Sequence, residues 1–205
     1  GSAGVAVNTE KWQETLGVIK GLDVDFLLSA GDQVNTANNE TQYDGFIRDE
    51  LSSLAIATAI GNHDSGSDAY SEHYNLPNES TELGMTTAGG DYYFVYNNTL
   101  FIGINSNDQA AAEHQEFIKT AIQKNPDVKW KTVFFHHSIY SSATHWDDND
   151  IVSRRNVLPS ILAECDIDVV FMGHDHIFTR AYMSDVNGIP DVKNGGKNEV
   201  YNPEG

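Results

Sequence analysis

The stretch Gly61-Asn62-His63-Asp64 decides how this chain is interpreted. It comes directly after an apolar run, residues 54–60, that has the character of a buried strand. The glycine ends the strand, and an amide, an imidazole and a carboxylate follow at once. Polar side chains of this kind at the end of a buried strand indicate a binding site there.

Three further apolar runs end in the same way. Residues 26–30 lead into Gly31-Asp32, residues 132–135 into His136-His137, and residues 169–172 into Gly173-His174-Asp175-His176. Ligands bind at the carboxyl ends of the strands in open α/β sheets, so we expect the four polar groups to meet at one edge. The histidines outside these motifs, His73, His114 and His145, are first expected to be surface residues.

Between the motifs, the hydrophobic pattern alternates between helical and strand periodicity. The predicted helices are 9–20, 39–53, 110–124 and 153–165, and the predicted strands are 23–30, 54–60, 92–96, 100–105, 131–135 and 167–172. Asn97-Asn98-Thr99 predicts a tight hairpin. Segment 65–91 is irregular and is a candidate rim or lid, and segments 1–8 and 184–205 are also irregular. This order predicts a single layered α/β domain over residues 1–205.

Composition excludes several classes of function. The formal net charge is −18 with 12 Lys and Arg residues, which disfavours nucleic acid as a partner. No apolar run reaches about 18 residues, so no membrane span is expected. The acidity suits a secreted or cell-surface protein. Cys165 is the single cysteine, which excludes an internal disulfide and a cysteine-based metal site, and we expect it to be a small buried hydrophobe.

The polar groups have the chemistry of a metal site. Imidazole nitrogens and carboxylate oxygens are ligands of transition metal ions of borderline softness. The candidate ligands are Asp32, Asn62, His136, His174 and His176. Two ions about 3.5–4 Å apart can hold a phosphate and lower the pKa of a bound water. His63 is a candidate general acid or electrostatic clamp, and Asp64 is a candidate to orient its ring.

In this order, the four motifs resemble the signature of the calcineurin-like metallophosphoesterases. The resemblance implies a four-layer α-β-β-α double sandwich around two transition metal ions (Zn, Mn or Fe). By that pattern Asp32 bridges the ions, and His63, paired with Asp64, contacts the substrate phosphate. The remaining ligands are divided between the ions, with Asn62, His136 and His174 on one and His176 on the other. His137 is the alternative to His136.

The segment after His136 is similar to the purple-acid-phosphatase-like branch of that family. Ser138-Ile139-Tyr140-Ser141-Ser142 and then His145 match the branch's serine-containing loop and its phosphate-contacting histidine. This match promotes His145 from a surface residue to a candidate catalytic residue.

Two departures from the family pattern matter. Purple members have a tyrosine ligand where this chain has Asn35, so we expect a colourless or differently metallated protein. The family's first motif, Asp-x-His or a variant, is absent from the sequence. We therefore expect a domain truncated at its N-terminal strand, and we also expect truncation at its C-terminus. Such a partial domain is expected to be without metal, to hold a single metal ion or to be inactive.

The resemblance implies a phosphoesterase in which a metal-activated hydroxide attacks a small phosphorylated substrate, with phosphomonoesters favoured by analogy. Two alternatives stay open: a nucleotidase or phosphodiesterase of the same family, and a non-catalytic surface or binding module that keeps the fold. A mononuclear metalloprotease is disfavoured because the chain has no His-Glu-x-x-His.

Overall fold

A computed structural model describes residues 9–181, which form a mixed α/β chain. The helices are α1 (Thr9–Lys20), α2 (Glu40–Phe46), α3 (Ala69–His73), α4 (Ala111–Lys124) and α5 (Asn149–Glu164), with a 3₁₀ turn at Asp49–Leu51. The strands are β1 (Phe26–Ser29), β2 (Ala55–Thr58), β3 (Tyr92–Tyr96), β4 (Thr99–Gly103), β5 (Trp130–Phe134) and β6 (Val169–Phe171). The predicted irregular segments 1–8 and 184–205 lie outside the described residues.

The strands form two sheets. Strands β1 and β2 pair in parallel, and the larger sheet has the order β3-β4-β5-β6. Strands β4, β5 and β6 are mutually parallel, whereas β3 and β4 form the predicted hairpin. Its two loop residues, Asn97 and Asn98, have φ values of 47° and 63°, the left-handed conformation that a tight two-residue hairpin requires.

Two apolar cores hold the sheets and helices together. In the first, the ring of Phe26 on β1 packs edge-on against Phe94 and Phe101 of the larger sheet, with centroids 5.7 and 5.3 Å apart. In the second, the larger sheet packs against α4 and α5, and Cys165 is buried there as predicted. Burying each large aliphatic side chain contributes about 1.5–3 kcal/mol, so these cores fix the position of the strand ends.

The predicted helix over 39–53 is wrong in its length. Helix α2 starts as expected, with the Asn39 side chain accepting a hydrogen bond from Gln42 N, but it ends at Phe46. The indole of Trp12 donates to the Phe46 carbonyl at 2.9 Å, which takes the acceptor that a longer helix would use. As a result Ile47, predicted on the inner face, is 41% exposed.

The prediction of His114 as a surface residue is also wrong. His114 is 2% exposed, and its Nδ1 donates to Asp91 Oδ2 at 2.7 Å. It lies on the inner face of α4 together with Ile118 and Ala121, four and seven positions further on. That helical spacing was visible in the sequence and should have placed the ring inside.

Among residues 9–181, no helix is both long enough and apolar enough to span a membrane.

Breaking the buried pair should give a pH-dependent loss of stability. Burial lowers the pKa of His114, but the hydrogen bond from His114 to Asp91 and the aspartate charge outweigh it, so the pKa is raised. The stabilisation is therefore full below the unfolded pKa of about 6.5 and is lost as pH rises through the folded pKa. Burial raises the pKa of the partner Asp91, so the charged pair exists at mildly acidic pH and not at strongly acidic pH. We expect His114→Gln to lower the free energy of unfolding by about 3 kcal/mol at mildly acidic pH, with a smaller deficit at alkaline pH.

Urea unfolding of both proteins across this pH range measures the deficit. His73→Gln is the control, because half-buried His73 pairs with the exposed carboxylate of Glu40, and loss of such a solvent-accessible pair should cost less than about 1 kcal/mol. A deficit for His114→Gln that does not vary with pH would contradict the charged pair.

Candidate metal centre

Four of the predicted ligands converge at the carboxyl ends of the strands. Asp32 and Asn62 follow the paired strands β1 and β2, and His136 and His174 follow the paired strands β5 and β6. Asn62 Oδ1 lies 3.0 Å from His136 Nε2 and 3.1 Å from His174 Nδ1. His136 Nε2 is also 3.3 Å from Asp32 Oδ2 and 3.2 Å from His174 Nδ1.

The hydrogen bonds around His136 indicate what this cluster can hold. His136 Nδ1 donates to the carbonyl of Ala30 at 2.8 Å, which leaves Nε2 as the nitrogen with a lone pair in the neutral ring. That lone pair faces oxygens of Asn62 and Asp32, which are also acceptors. One proton satisfies one such contact, whereas a metal cation satisfies all of them, so the donor set fits a metal ion.

The Asn62 amide oxygen lies between two members of this donor set. Within residues 9–181, no group of three His, Cys, Asp or Glu side chains by itself encloses a metal position. The carboxylate and the two imidazoles are arranged as a chain with His136 in the middle, and the Asn62 oxygen joins the two imidazoles. The Asn62 oxygen therefore adds a fourth candidate ligand that contacts both imidazoles.

The ionisation states suit metal binding. Burial, together with the neighbouring His136, lowers the pKa of His174 to about 4, so its ring is neutral at pH 7. Burial raises the pKa of Asp32, but the hydrogen bonds and charges of His136 and His63 together outweigh it, so the pKa is lowered overall and the carboxylate stays ionised. A neutral imidazole and an ionised carboxylate are the ligating forms.

His176, the candidate ligand of a second ion, lines an open cavity of about 520 Å³ together with Asp32, His136 and His174. Its side chain is exposed. Asp32, His174 and His176 have φ values of 59°, 73° and 51°, a left-handed conformation that is strained for residues other than glycine. Backbone strain of this kind clusters at functional sites.

A close approach explains the glycine before Asp32. A Cβ at Gly31 would lie 2.5 Å from His136 Nδ1, and Gly31 has φ 95°. Any side chain at this position would displace the His136 ring from the cluster.

Asp64 has a different contact from the one predicted. It is fully buried, and its carboxylate accepts hydrogen bonds from the backbone N–H groups of Asp32 and Gly61 at 2.8 Å and of Val34 at 3.2 Å. The His63 ring instead donates from Nδ1 to the Asn35 carbonyl at 3.0 Å. The prediction that Asp64 orients this ring is therefore corrected: Asp64 joins the two ligand-bearing loops.

His63 and His145 lie beside the cluster on different loops. The His63 side chain is exposed, and its backbone N–H donates to Asp32 Oδ1 at 3.1 Å. The centroid of the His145 ring is 4.5 Å from that of His174, and its Nδ1 donates to Asp148 Oδ2 at 2.7 Å. This hydrogen bond raises the pKa of His145, which favours a cationic ring able to hold an anion.

His137, the alternative ligand, is placed behind the cluster. Its Nδ1 is 2.8 Å from Ser106 Oγ, and its backbone N–H donates to the same oxygen. Burial and the charge of Arg154 lower its pKa to about 2. The geometry thus directs His136 rather than His137 toward Asn62 and Asp32.

The sequence did not lead us to Ser106 and Asn107. Ser106 contacts the backbone N–H of His137, and Asn107 contacts the carbonyls before Asn62. They follow β4, which is buried and ends in polar residues like the four strands before the motifs. The signal was therefore present, but the chain offers no imidazole or carboxylate at Asn105-Ser106-Asn107 to mark it as a ligand site.

Weakening the acceptor at position 64 should destabilise the protein. In Asp64→Asn the side chain keeps its shape but offers one acceptor oxygen, and its NH₂ group faces backbone N–H donors. We expect the free energy of unfolding to fall by about 3 kcal/mol, because a buried donor without a partner costs roughly 1–3 kcal/mol.

Urea unfolding at neutral pH tests this expectation. Asp68→Asn is the control, since Asp68 is exposed and its side chain makes no capping hydrogen bond to α3; it should change stability by about 0.5 kcal/mol or less. Equal effects of the two substitutions would contradict the role assigned to Asp64.

The chain is similar to known proteins along most of its length. A family model described as calcineurin-like phosphoesterase matches residues 6–178. The chain is also 24% identical over 213 residues to purple acid phosphatase 3 of Arabidopsis thaliana. That alignment covers 88% of this chain and 56% of the relative, so the chain spans little more than half of the relative's length.

Proposed function

The chain belongs to the calcineurin-like phosphoesterase family, and from that premise we propose that it hydrolyses phosphomonoesters at a dinuclear metal centre. The convergence of Asp32, Asn62, His136 and His174 at one sheet edge is the observation that supports the proposal most. A donor set of one carboxylate, one amide and two imidazoles suits Zn, Mn or Fe.

The proposed roles fall to the metal ions and to the residues that would hold them. Bound metal ions would act as Lewis acids and would lower the pKa of a bound water. Asp32 has one oxygen beside His136, and two carboxylate oxygens allow it to contact two ions. His176, on the same cavity, is proposed as a ligand of the second ion.

Two histidines are proposed to hold the phosphoryl group. The His63 Nδ1–H donates to the Asn35 carbonyl, so a protonated His63 ring would have its Nε2–H left to donate to a phosphate oxygen. His145 is fixed twice, by Asp148 at its ring and by Asp175 Oδ1 at its backbone N–H. Positioned donors of this kind stabilise the charge that develops on a transferred phosphoryl group.

The overall charge supports a small substrate. A formal net charge of −18 repels polyanions at long range, whereas a small phosphate ester would be held by the positive charge that bound metal ions would supply. The open cavity of about 520 Å³ at the centre suits a ligand of that size.

The paired substitutions His136→Gln and His137→Gln test the proposed ligand. We expect His136→Gln to lower metal content and to reduce turnover of p-nitrophenyl phosphate by about 100-fold or more, because it removes an imidazole from the donor set. His137→Gln can keep a hydrogen bond to Ser106 and should retain its metal. Elemental analysis and initial rates with added Mn²⁺ measure both effects.

If His137→Gln loses metal and turnover and His136→Gln keeps both, the ligand is His137 rather than His136. If the unsubstituted protein shows no metal binding and no turnover, the catalytic proposal is contradicted and the alternative of a binding module is favoured.

Asp148→Asn tests the orientation of His145. The neutral amide weakens the hydrogen bond to His145 Nδ1, so we expect kcat/KM for p-nitrophenyl phosphate to fall by about tenfold, or roughly 1.4 kcal/mol. The adjacent Asp147→Asn removes the same charge from an exposed position and should leave the rate within about twofold. Equal losses in both variants would assign the effect to net charge rather than to orientation.

A further inference from the structure

The turn at residues 105–108, which follows β4, contacts two of the segments that carry candidate ligands: the one with His136 and the one with Asn62. On the His136 side, Ser106 Oγ accepts a hydrogen bond from the backbone N–H of His137 at 3.2 Å. Buried Arg154 donates from Nε to the Ser106 carbonyl at 2.8 Å, which fixes the turn against α5. These contacts place Asn107 next to the end of β2.

Asn107 donates hydrogen bonds to the segment that carries Asn62. Its Nδ2 lies 3.0 Å from the carbonyl of Ile60 and 3.3 Å from that of Gly61. These are the last two carbonyls before the ligand residue. The ladder of β2 ends at Thr58, so this segment has left the sheet where the contacts are made.

A buried network holds Asn107 itself in place. Asn105 Oδ1 accepts from Asn107 Nδ2 at 3.0 Å, and the backbone N–H of Asn105 donates to Asp91 Oδ1 at 2.7 Å. Asp91 is in turn bonded to His114 on α4. Asn107 is thus held by groups that do not belong to the donor set.

We propose that Asn107 is a positioning residue that holds the carbonyls of Ile60 and Gly61 and thereby keeps Asn62 Oδ1 beside His136 Nε2. Asp64 already holds the N–H of Gly61, and Asn107 adds a restraint on the carbonyls of Ile60 and Gly61 from the opposite loop. This inference rests on the proposed metal centre. Loss of such outer contacts typically weakens metal affinity by about 10–100-fold.

The test compares metal affinity in three variants of the full chain. Asn107→Ala removes the donor, and Asn107→Leu removes it while refilling the space. Asn125→Ala is the matched control, because half-buried Asn125 also donates from Nδ2 to a backbone carbonyl, that of Ala121 at the end of α4. Mn²⁺ binding is measured by isothermal titration calorimetry, and thermal unfolding is followed without metal.

We expect the dissociation constant for Mn²⁺ to rise about tenfold or more in both Asn107 variants and to stay unchanged in Asn125→Ala. The loss of thermal stability without metal should be similar for the two alanine variants. Saturating Mn²⁺ should restore kcat toward that of the unsubstituted protein, because Asn107 would act on metal binding and does not itself touch the substrate.

Three results would overturn the inference. If the unsubstituted protein binds Mn²⁺ and the Asn107 variants bind it equally well, the positioning role is wrong while the proposed function stands. If Asn125→Ala weakens Mn²⁺ binding as much as the Asn107 variants do, the weaker binding is a general consequence of lower stability and not of the position of Asn107. Absence of Mn²⁺ binding in the unsubstituted protein would overturn the proposed function and this inference together.

Discussion

The buried carboxylate of Asp64 is the interaction on which the site depends. It accepts hydrogen bonds from the backbone N–H groups of Asp32 and Gly61, which belong to loops following two different strands. Each of these buried donors would cost roughly 1–3 kcal/mol without an acceptor. Asp32 has a left-handed conformation, and the hydrogen bond from its N–H to Asp64 helps to hold it there.

The rest of the structure brings a second pair of strand ends to the same place. Both sheets are anchored by apolar cores, and His136 and His174 leave neighbouring parallel strands of the larger sheet. The result is a concentration of oxygen and nitrogen atoms with lone pairs around His136 Nε2. A metal ion bound there would be held by several of these atoms at once.

Sequence reasoning predicted what depends on local pattern. Strand ends carrying polar residues, the Asn97-Asn98 hairpin and the buried Cys165 were all visible as periodicity or turn chemistry. It could not predict what depends on distant partners. The early end of α2 is set by Trp12, 34 residues away from Phe46, and the role of Asp64 is set by amides about 30 residues upstream. His114 is different, because its helical spacing gave the information and the prediction of a surface histidine neglected it.

Diffraction from crystals grown with Mn²⁺, recorded at a wavelength where manganese scatters anomalously, would show whether the candidate ligands hold a metal ion. We expect anomalous density within bonding distance of Asp32, Asn62, His136 and His174, with the His137 ring still hydrogen-bonded to Ser106. A peak bonded to His137 instead, a peak away from the carboxyl ends of the strands, or no peak at millimolar Mn²⁺ would contradict this expectation.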